Sequence, residues 1–264
     1  MNIQEIVLIQ ETEENFSIFG FDKVGKNQFS LGESQIQVVA PDEGSATLPW
    51  LDHIGILLPD RISLAALLLH LAESNAAIIG ATDHGVCESI YVKDASGLTL
   101  EFYAENPAGE WVVDSEGALR IHSSDLNIDA LLLTLKGKYK PWKRLPAQAK
   151  LGHIHVNYPE IEQIFETLRD IPNSQINFTE DGTSLYFGGD TGLYQLRISE
   201  MEPATDVNVG RLKRVTFAST ASQIAGLQAS LPDEARRRPG EFIIRTQAGM
   251  EILFQSAENP QTLL

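Results

Sequence analysis

Two side chains of the types that bind metal ions, His53 and Glu101, stand near the two ends of one strongly patterned stretch, Leu51 to Pro107. Imidazole nitrogens and carboxylate oxygens are ligands for zinc, nickel and iron. Two further histidines, His153 and His155, lie two residues apart in another apolar stretch. Because alternate residues of a β-strand point to the same face, His153 and His155 are predicted to share a face.

The stretch around His53 and Glu101 is predicted to fold as a strand, a helix and three more strands. Leu51 to Leu57 has the composition of a strand, Asp60 is a candidate helix N-cap, and leucines follow it at helical spacing. The later strands are predicted over Ala76 to Ile79, Glu88 to Val92 and Leu98 to Tyr103. His53 then lies near the start of the first strand, and Glu101 lies in the middle of the last.

The same order of elements recurs along the chain. Further copies begin at about Ile3, Leu151 and Arg211, and the first and fourth copies are the most degenerate. A repeated unit of this length predicts four related βαβββ modules and an α+β fold. When the first copy is laid over the second, Glu5 falls on His53 and Gln37 falls on Glu101.

The segment DHGVCESIYVKDASGLTLEFYAENP, which ends at Pro107, and the segment LGHIHV, which begins at Leu151, carry a resemblance to a known family. They resemble the vicinal oxygen chelate superfamily of glyoxalases, bleomycin-resistance proteins and extradiol dioxygenases, in particular bacterial catechol-2,3-dioxygenase-like proteins. The resemblance implies two glyoxalase-like domains, 1–107 and 151–264, each a cup of paired modules. A linker with a short helix, 108–150, is predicted between them.

This resemblance implies a divergent extradiol ring-cleaving dioxygenase, which uses oxygen to cleave catechol-like substrates at a non-haem Fe(II) or Mn(II). Such enzymes hold the metal with two histidines and one glutamate in the second domain. His153 stands at the first histidine position, Arg214 occupies the second, and Glu251 is the candidate for the glutamate, although counting from Gly97 and Gly249 places Leu253 on Glu101. Arginine keeps its proton and cannot bind a metal. The stretch Gly188 to Tyr194 also lacks the histidines of the relatives, so the activity is predicted to be altered or lost.

Two alternatives stay open. One is a glyoxalase-type metal site in the first domain, whose four ligand positions are held by Glu5, Gln37, His53 and Glu101. The other is a protein without a metal that binds a small aromatic or hydrophobic molecule. The residues predicted to bind the substrate or ligand are His155, Arg214 and Tyr194, and no catalytic acid or base is identified.

Composition limits the partners of the chain. Its 264 residues carry a formal net charge of −16, which disfavours nucleic acid and anionic membranes as partners and leaves a small-molecule ligand as the expectation. No apolar run is long enough to span a bilayer, and the start does not resemble a signal peptide. A single cysteine, Cys87, is expected to be a small packing residue in a cytoplasmic protein. The basic cluster Lys136 to Lys150 is interpreted as a solvated strap, and a homodimer stays open.

Overall fold

The structure is a computed structural model, and it describes residues 2–10, 16–113, 121–172, 174–179, 181–188, 194–201, 210–230, 236–238 and 240–256. In chain order its strands and helices are β1 (Asn2–Ile9), β2 (Asp22–Gly25), β3 (Gln28–Leu31), β4 (Ser34–Val39), β5 (Trp50–Leu57), α1 (Arg61–Glu73), β6 (Ala77–Asp83), β7 (Cys87–Lys93), β8 (Thr99–Glu105), β9 (Ser124–Asp125), α2 (Ile128–Leu133), β10 (Lys150–Asn157), α3 (Ile161–Leu168), β11 (Gln175–Phe178), β12 (Ser184–Gly188), β13 (Tyr194–Ser199), β14 (Arg211–Ser219), α4 (Ala221–Ser230), β15 (Arg236–Arg238), β16 (Glu241–Arg245) and β17 (Glu251–Ser256). Short 3₁₀ helices cover Phe16–Phe19, Glu43–Thr47 and Ala108–Glu110.

The order of these elements repeats the predicted module four times. The second module is β5-α1-β6-β7-β8, the third is β10-α3-β11-β12-β13, and the fourth runs from β14 through α4 to β17. Between β1 and β2 of the first module, the described residues form one 3₁₀ turn, Phe16–Phe19, and residues 11–15 lie outside the described ranges. The α+β class and the four related modules are therefore confirmed.

Each module joins its first strand to its last strand in the same parallel register. The four aligned pairs are Val7 with Gln37, Gly55 with Glu101, His155 with Arg197, and Thr216 with Leu253. Two residues before the first member of each pair stand Glu5, His53, His153 and Arg214. The register thus agrees with the overlay of Gln37 on Glu101, and it puts Leu253, rather than Glu251, at the position equivalent to Glu101.

The described chain falls into two compact units, of which unit 2 comprises residues 14–33 and 53–150. In unit 2, helix α1 begins where Asp60 Oδ1 accepts a hydrogen bond from the Ser63 backbone N–H at 2.7 Å, as the predicted N-cap requires. The buried face of α1 consists of leucines and one alanine, namely Leu64, Ala65, Leu67, Leu68 and Leu71. Strands β7 and β8 pair antiparallel, and alternate side chains of each strand point to opposite faces of the sheet. Polar side chains can therefore occupy one face while apolar side chains occupy the other.

Unit 1 comprises residues 1–13, 34–52 and 151–264. Strand β1 pairs with β4 on one side and antiparallel with β14 on the other, and β14 pairs with β17. The opening strand of the first module is therefore bonded to the opening strand of the fourth. The two units do not follow the limits 1–107, 108–150 and 151–264, which stay a prediction.

The segment predicted as a linker belongs to unit 2. The short helix predicted in this segment is α2, and its N-cap is Asn127, whose side-chain oxygen accepts a hydrogen bond from the Ala130 N–H at 3.0 Å. The indole N–H of Trp142 donates to the Phe19 carbonyl at 3.3 Å, which ties the basic cluster to the rest of the unit. None of the helices in the described ranges combines the length and hydrophobicity of a membrane span.

Candidate functional site

Unit 2 contains a buried pair of side chains that can bind a metal. His53 Nε2 lies 3.0 Å from Glu101 Oε2, and the two residues are 8% and 3% exposed. Their contact follows from the strand register, because Gly55 of β5 is aligned with Glu101 of β8 and His53 shares the face of Gly55. The other carboxylate oxygen, Oε1, accepts a hydrogen bond from the Ser89 hydroxyl at 2.6 Å. The carboxylate of Glu101 is therefore held in one orientation.

The spacing of this pair fits two neighbouring positions around a metal ion. Two ligand atoms that are each about 2.1 Å from a metal and at right angles to each other lie about 3.0 Å apart. The measured separation of His53 Nε2 and Glu101 Oε2 is 3.0 Å. An imidazole with a carboxylate suits Fe(II) and Mn(II), and the hydrogen bond from Ser89 is the kind of outer contact that orients a metal-binding carboxylate. These two residues therefore fit the donor requirements of a metal site.

Tyr91 lies beside this pair and was not singled out from the sequence. Its ring meets the His53 ring edge-on, with ring centroids 5.7 Å apart, and its hydroxyl is 3.1 Å from His84 Nε2. Tyr91 and Ser89 lie two residues apart on β7, and Tyr91 is aligned with Glu101 across the antiparallel pair. Counting back from the Asp94–Gly97 turn would have placed both side chains on the face of Glu101, and that alternation was the available signal.

The thiol of Cys87 lies next to this cluster, 3.8 Å from the Ser89 hydroxyl. Burial, together with the negative charge of Glu101, raises the pKa of the Cys87 thiol to about 12. Because the thiolate is the reactive form of cysteine, the raised pKa keeps the Cys87 thiol in its less reactive protonated form at neutral pH. This agrees with its interpretation as a packing residue.

We expect Cys87 to react with iodoacetamide at pH 8 about 100 to 1,000 times more slowly in the folded protein than in the urea-unfolded chain, because far less thiolate is present. The rate in the folded protein should keep rising with pH beyond pH 9, since the thiol stays largely protonated below about pH 12. Mass spectrometry of labelled protein across pH 7–10 measures both rates. A plateau near pH 9 would show an ordinary thiol and contradict the expectation.

In unit 1 the equivalent positions of the first and fourth modules are joined by arginine. Arg214 Nη2 lies 3.0 Å from Glu5 Oε2, and Arg214 Nη1 lies 3.9 Å from Glu251 Oε2. Arg245 Nη2 also contacts Glu251, at 2.8 Å. Arg214 and Glu251 are aligned on β14 and β17, and the register brings Glu5 of β1 to the same face. The two carboxylates are therefore neutralised by two guanidinium groups.

The arginines make this part of unit 1 a poor fit for a metal. A guanidinium stays protonated, cannot be a ligand, and repels a second cation beside it. Of the glyoxalase-type set, the structure joins His53 to Glu101, whereas Glu5 and Gln37 belong to unit 1, where Glu5 contacts Arg214. The metal-binding roles of Glu5, Gln37 and Glu251 stay predictions, and the ion pairs with arginine disfavour those of the two glutamates.

The third module carries three of the other predicted site residues, all in unit 1. His153 packs against Tyr194 with ring centroids 5.1 Å apart. His155 Nε2 lies 2.7 Å from the Ser199 hydroxyl, and its Nδ1 lies 3.2 Å from an Asp52 carboxylate oxygen. As predicted, His153 and His155 share a face of β10, because they lie two residues apart in one strand. The structure therefore brings Tyr194 to His153, and it engages both ring nitrogens of His155.

Comparisons with known proteins extend this picture. No family model matches the chain. In sequence the chain is 32% identical over 157 residues to the catechol-2,3-dioxygenase of Bacillus subtilis strain 168, and the match covers 60% of this chain and 53% of that protein. The chain thus spans about half the length of the curated relative that it matches.

Solved structures share the fold. A Bacillus subtilis protein with a provisional dioxygenase assignment superposes with a TM-score of 0.55 at 13% identity, over 97% of this chain and 85% of that one. Glyoxalase I from Zea mays gives a TM-score of 0.49 at 9% identity, over 97% and 92% of the two chains, and adds nothing to the assignment. The sequence match, together with the shared fold and the four βαβββ modules, supports the vicinal oxygen chelate superfamily as the family that this chain resembles.

Proposed function

We propose that this protein is a metal-dependent enzyme of the extradiol dioxygenase type, which binds Fe(II) or Mn(II) through His53 and Glu101 and acts on a catechol-like substrate. One observation carries the proposal. The imidazole and the carboxylate lie 3.0 Å apart, buried on one face, and Ser89 orients the carboxylate. The sequence match to a catechol-2,3-dioxygenase supports the choice of substrate class.

The residues of unit 2 have distinct roles in this proposal. Glu101 supplies a negative charge and one ligand oxygen, and Ser89 keeps that oxygen in place. His53 supplies a neutral imidazole nitrogen, and the edge of the Tyr91 ring limits the rotation of the imidazole. A metal held by this imidazole and carboxylate would supply open coordination positions for a catecholate and dioxygen. Because both side chains are buried, they would limit the access of water to the bound ion.

A second candidate is a protein that binds a small molecule without a metal. It is favoured by the contacts of Arg214, which stands where the resemblance implies a metal-binding histidine and whose guanidinium pairs with Glu5. Because the guanidinium of Arg214 already balances the negative charge of Glu5, no metal ion is needed to neutralise that carboxylate. The two candidates differ in whether purified protein contains a metal.

The test is the metal content of protein purified without chelator, followed by oxygen uptake with catechol. We expect about one iron or manganese per chain by mass spectrometry of the elements, and oxygen uptake that chelation abolishes and Fe(II) or Mn(II) restores. Metal-free protein that takes up no oxygen after incubation with either ion would overturn the proposal and favour the second candidate.

The His153→Ala variant is measured in the same assay, because the resemblance gives His153 a metal-binding role. Loss of metal from His153→Ala as complete as that from His53→Ala would make His153 a ligand as well. Full metal content in His153→Ala would restrict the metal-binding role to His53 and Glu101.

A further inference from the structure

Unit 2 has a cavity of about 620 Å³ beside the basic cluster Lys136 to Lys150. Its lining comes from the start of α1 and from the residues between α2 and β10. All of these residues belong to unit 2. The volume falls within the range of about 300–1,000 Å³ that is typical of sites for small molecules.

The lining of this cavity is strongly cationic. Six of the 20 lysines and arginines of the chain stand between Lys136 and Lys150, and this segment contains neither aspartate nor glutamate. Four of the six line the cavity, namely Lys138, Lys140, Lys143 and Arg144. None of these four forms an ion pair with a carboxylate among the residues that the structure describes. In a chain with a formal net charge of −16, this concentration of cations around one cavity is complementary to an anion.

The end of the cavity at α1 is also compatible with an anion. Asp60 is the acid in the lining, and its Oδ1 accepts a hydrogen bond from the Ser63 backbone N–H at 2.7 Å as the N-cap of α1. The first turn of a helix has further backbone N–H groups without a partner in the helix, and the partial positive charge there favours anions. The single carboxylate of Asp60 therefore offsets only part of the positive charge around the cavity.

The backbone of the basic cluster is held in place. The indole N–H of Trp142 donates to the Phe19 carbonyl at 3.3 Å, and the Leu145 backbone N–H donates to the Gly20 carbonyl at 2.9 Å. Gly20 has a φ of +94°, and a Cβ there would lie 2.8 Å from Arg144 Cα, so the two backbone segments are in close contact. Because these contacts fix the loop that carries the cations, less conformational entropy is lost when a ligand binds to it.

Apolar side chains complete the lining of the cavity, and they include Ile62, Leu135, Pro141 and Trp142. Trp142 is half-buried, and its ring stacks on the His70 ring of α1 with ring centroids 6.4 Å apart. The cavity therefore offers contacts for an apolar group next to a concentration of positive charge. A phosphate monoester on an apolar body suits such a site better than a carboxylate does, because it carries about two negative charges and more acceptor oxygens.

We infer that this cavity binds a small organic phosphate, whose phosphate group meets the cations of the basic cluster and whose apolar body lies against Ile62 and Trp142. The cavity shares no residue with the pair of His53 and Glu101, so the inference does not rest on the proposed function. The side chains of the four cations are exposed, which agrees with the interpretation of the basic cluster as a solvated strap. The cavity gives this strap a binding role that the sequence pattern alone did not indicate.

The test compares 1-naphthyl phosphate with 1-naphthol, which lacks the phosphate, and with inorganic phosphate, which lacks the ring, in calorimetric titrations at low ionic strength. We expect 1-naphthyl phosphate to bind at least about 10 times more tightly than either of the others. Added salt should weaken its binding, because the cations of the cavity are exposed and their charges are screened. In the double variant Lys143→Gln/Arg144→Gln, the affinity for 1-naphthyl phosphate should fall about 10-fold because two charges are lost, while the affinity for 1-naphthol stays the same.

Lys26→Gln/Lys93→Gln is the matched control, because both lysines are exposed in unit 2 and neither lines the cavity. This variant loses the same charge and should keep its affinity for 1-naphthyl phosphate within about twofold. Thermal unfolding shows whether each variant is folded. Equal affinity of the wild-type protein for 1-naphthyl phosphate and 1-naphthol would overturn the inference, as would wild-type affinity in a folded Lys143→Gln/Arg144→Gln protein.

His53→Ala is titrated in the same way, because phosphate is also a ligand for a metal ion bound by His53 and Glu101. Unchanged affinity for 1-naphthyl phosphate in His53→Ala supports binding in the cavity. Loss of binding in His53→Ala alone would place the phosphate at the metal and refute the inference. A hexaglutamate peptide that binds more tightly than 1-naphthyl phosphate would make the occupant an acidic polypeptide, which also refutes it.

Discussion

Replacing His53 by alanine is expected to remove the metal from the protein and to abolish oxygen uptake with catechol. His53 provides one of the two ligand atoms that lie 3.0 Å apart in unit 2, and alanine provides none. Changes to outer-shell partners of a metal commonly weaken binding 10- to 100-fold, so the loss of a ligand itself should exceed about 100-fold. Elemental analysis after dialysis against a weak competing chelator measures the change. Glu101→Gln should lose metal to a similar degree, because an amide is neutral and a weaker ligand.

A control for this result exists on the same hairpin. Glu88 is also buried, at 7% exposure, but it follows the opposite alternation on β7, and its carboxylate pairs with Arg61, whose Nη2 lies 2.8 Å from Glu88 Oε1. Glu88→Gln therefore removes a buried negative charge from unit 2 without touching the pair. It should leave the metal content unchanged. If Glu88→Gln and Glu101→Gln lost metal equally, general destabilisation rather than ligand loss would explain both results.

The local structure around this pair follows from the sequence because local signals determine it. The alternation in β5, the N-cap Asp60 and the leucines of α1 act within a few residues of one another, and the structure has each of them. Because the pattern repeats along the chain, it predicts the same order of elements in the other modules. Even the weak first module obeys it, since Val7 is aligned with Gln37 in the register that aligns Gly55 with Glu101. Local periodicity is thus sufficient for the modules.

The pairing of the modules with one another could not be predicted from local periodicity. Strand β1 bonds to β14 across about two hundred residues of chain, and the alternating pattern of a strand shows which side chains share a face but not which strand becomes its neighbour. The contact between Glu5 and Arg214 depends on that pairing. For Ser89, strand alternation places the side chain on the face of Glu101, but its hydrogen bond to the Glu101 carboxylate depends on the pairing of β7 with β8.

Replacing Arg214 by alanine is expected to destabilise the protein by about 2–3 kcal/mol at pH 7 while leaving its metal content unchanged. The substitution removes the cation that Glu5 contacts, and the side chains of Glu5 and Glu251 are only 12% and 14% exposed. A carboxylate left in such a place without its partner loses the ion pair and is not rehydrated. Because Arg214 itself is 27% exposed, the cost should fall below the range for a fully buried pair.

Arg245→Ala separates this effect from a general effect of removing arginine beside Glu251. Arg245 contacts the same carboxylate at 2.8 Å, but its side chain is 59% exposed, so its loss should cost less than about 1 kcal/mol. Urea unfolding at constant pH and salt measures both variants. Equal decreases in the free energy of unfolding of the two variants would show that the contact between Arg214 and Glu5 does not contribute to stability. In this account His53 and Glu101 bind the metal, whereas Arg214 neutralises the carboxylates of unit 1. Loss of metal from a folded Arg214→Ala protein would contradict that account.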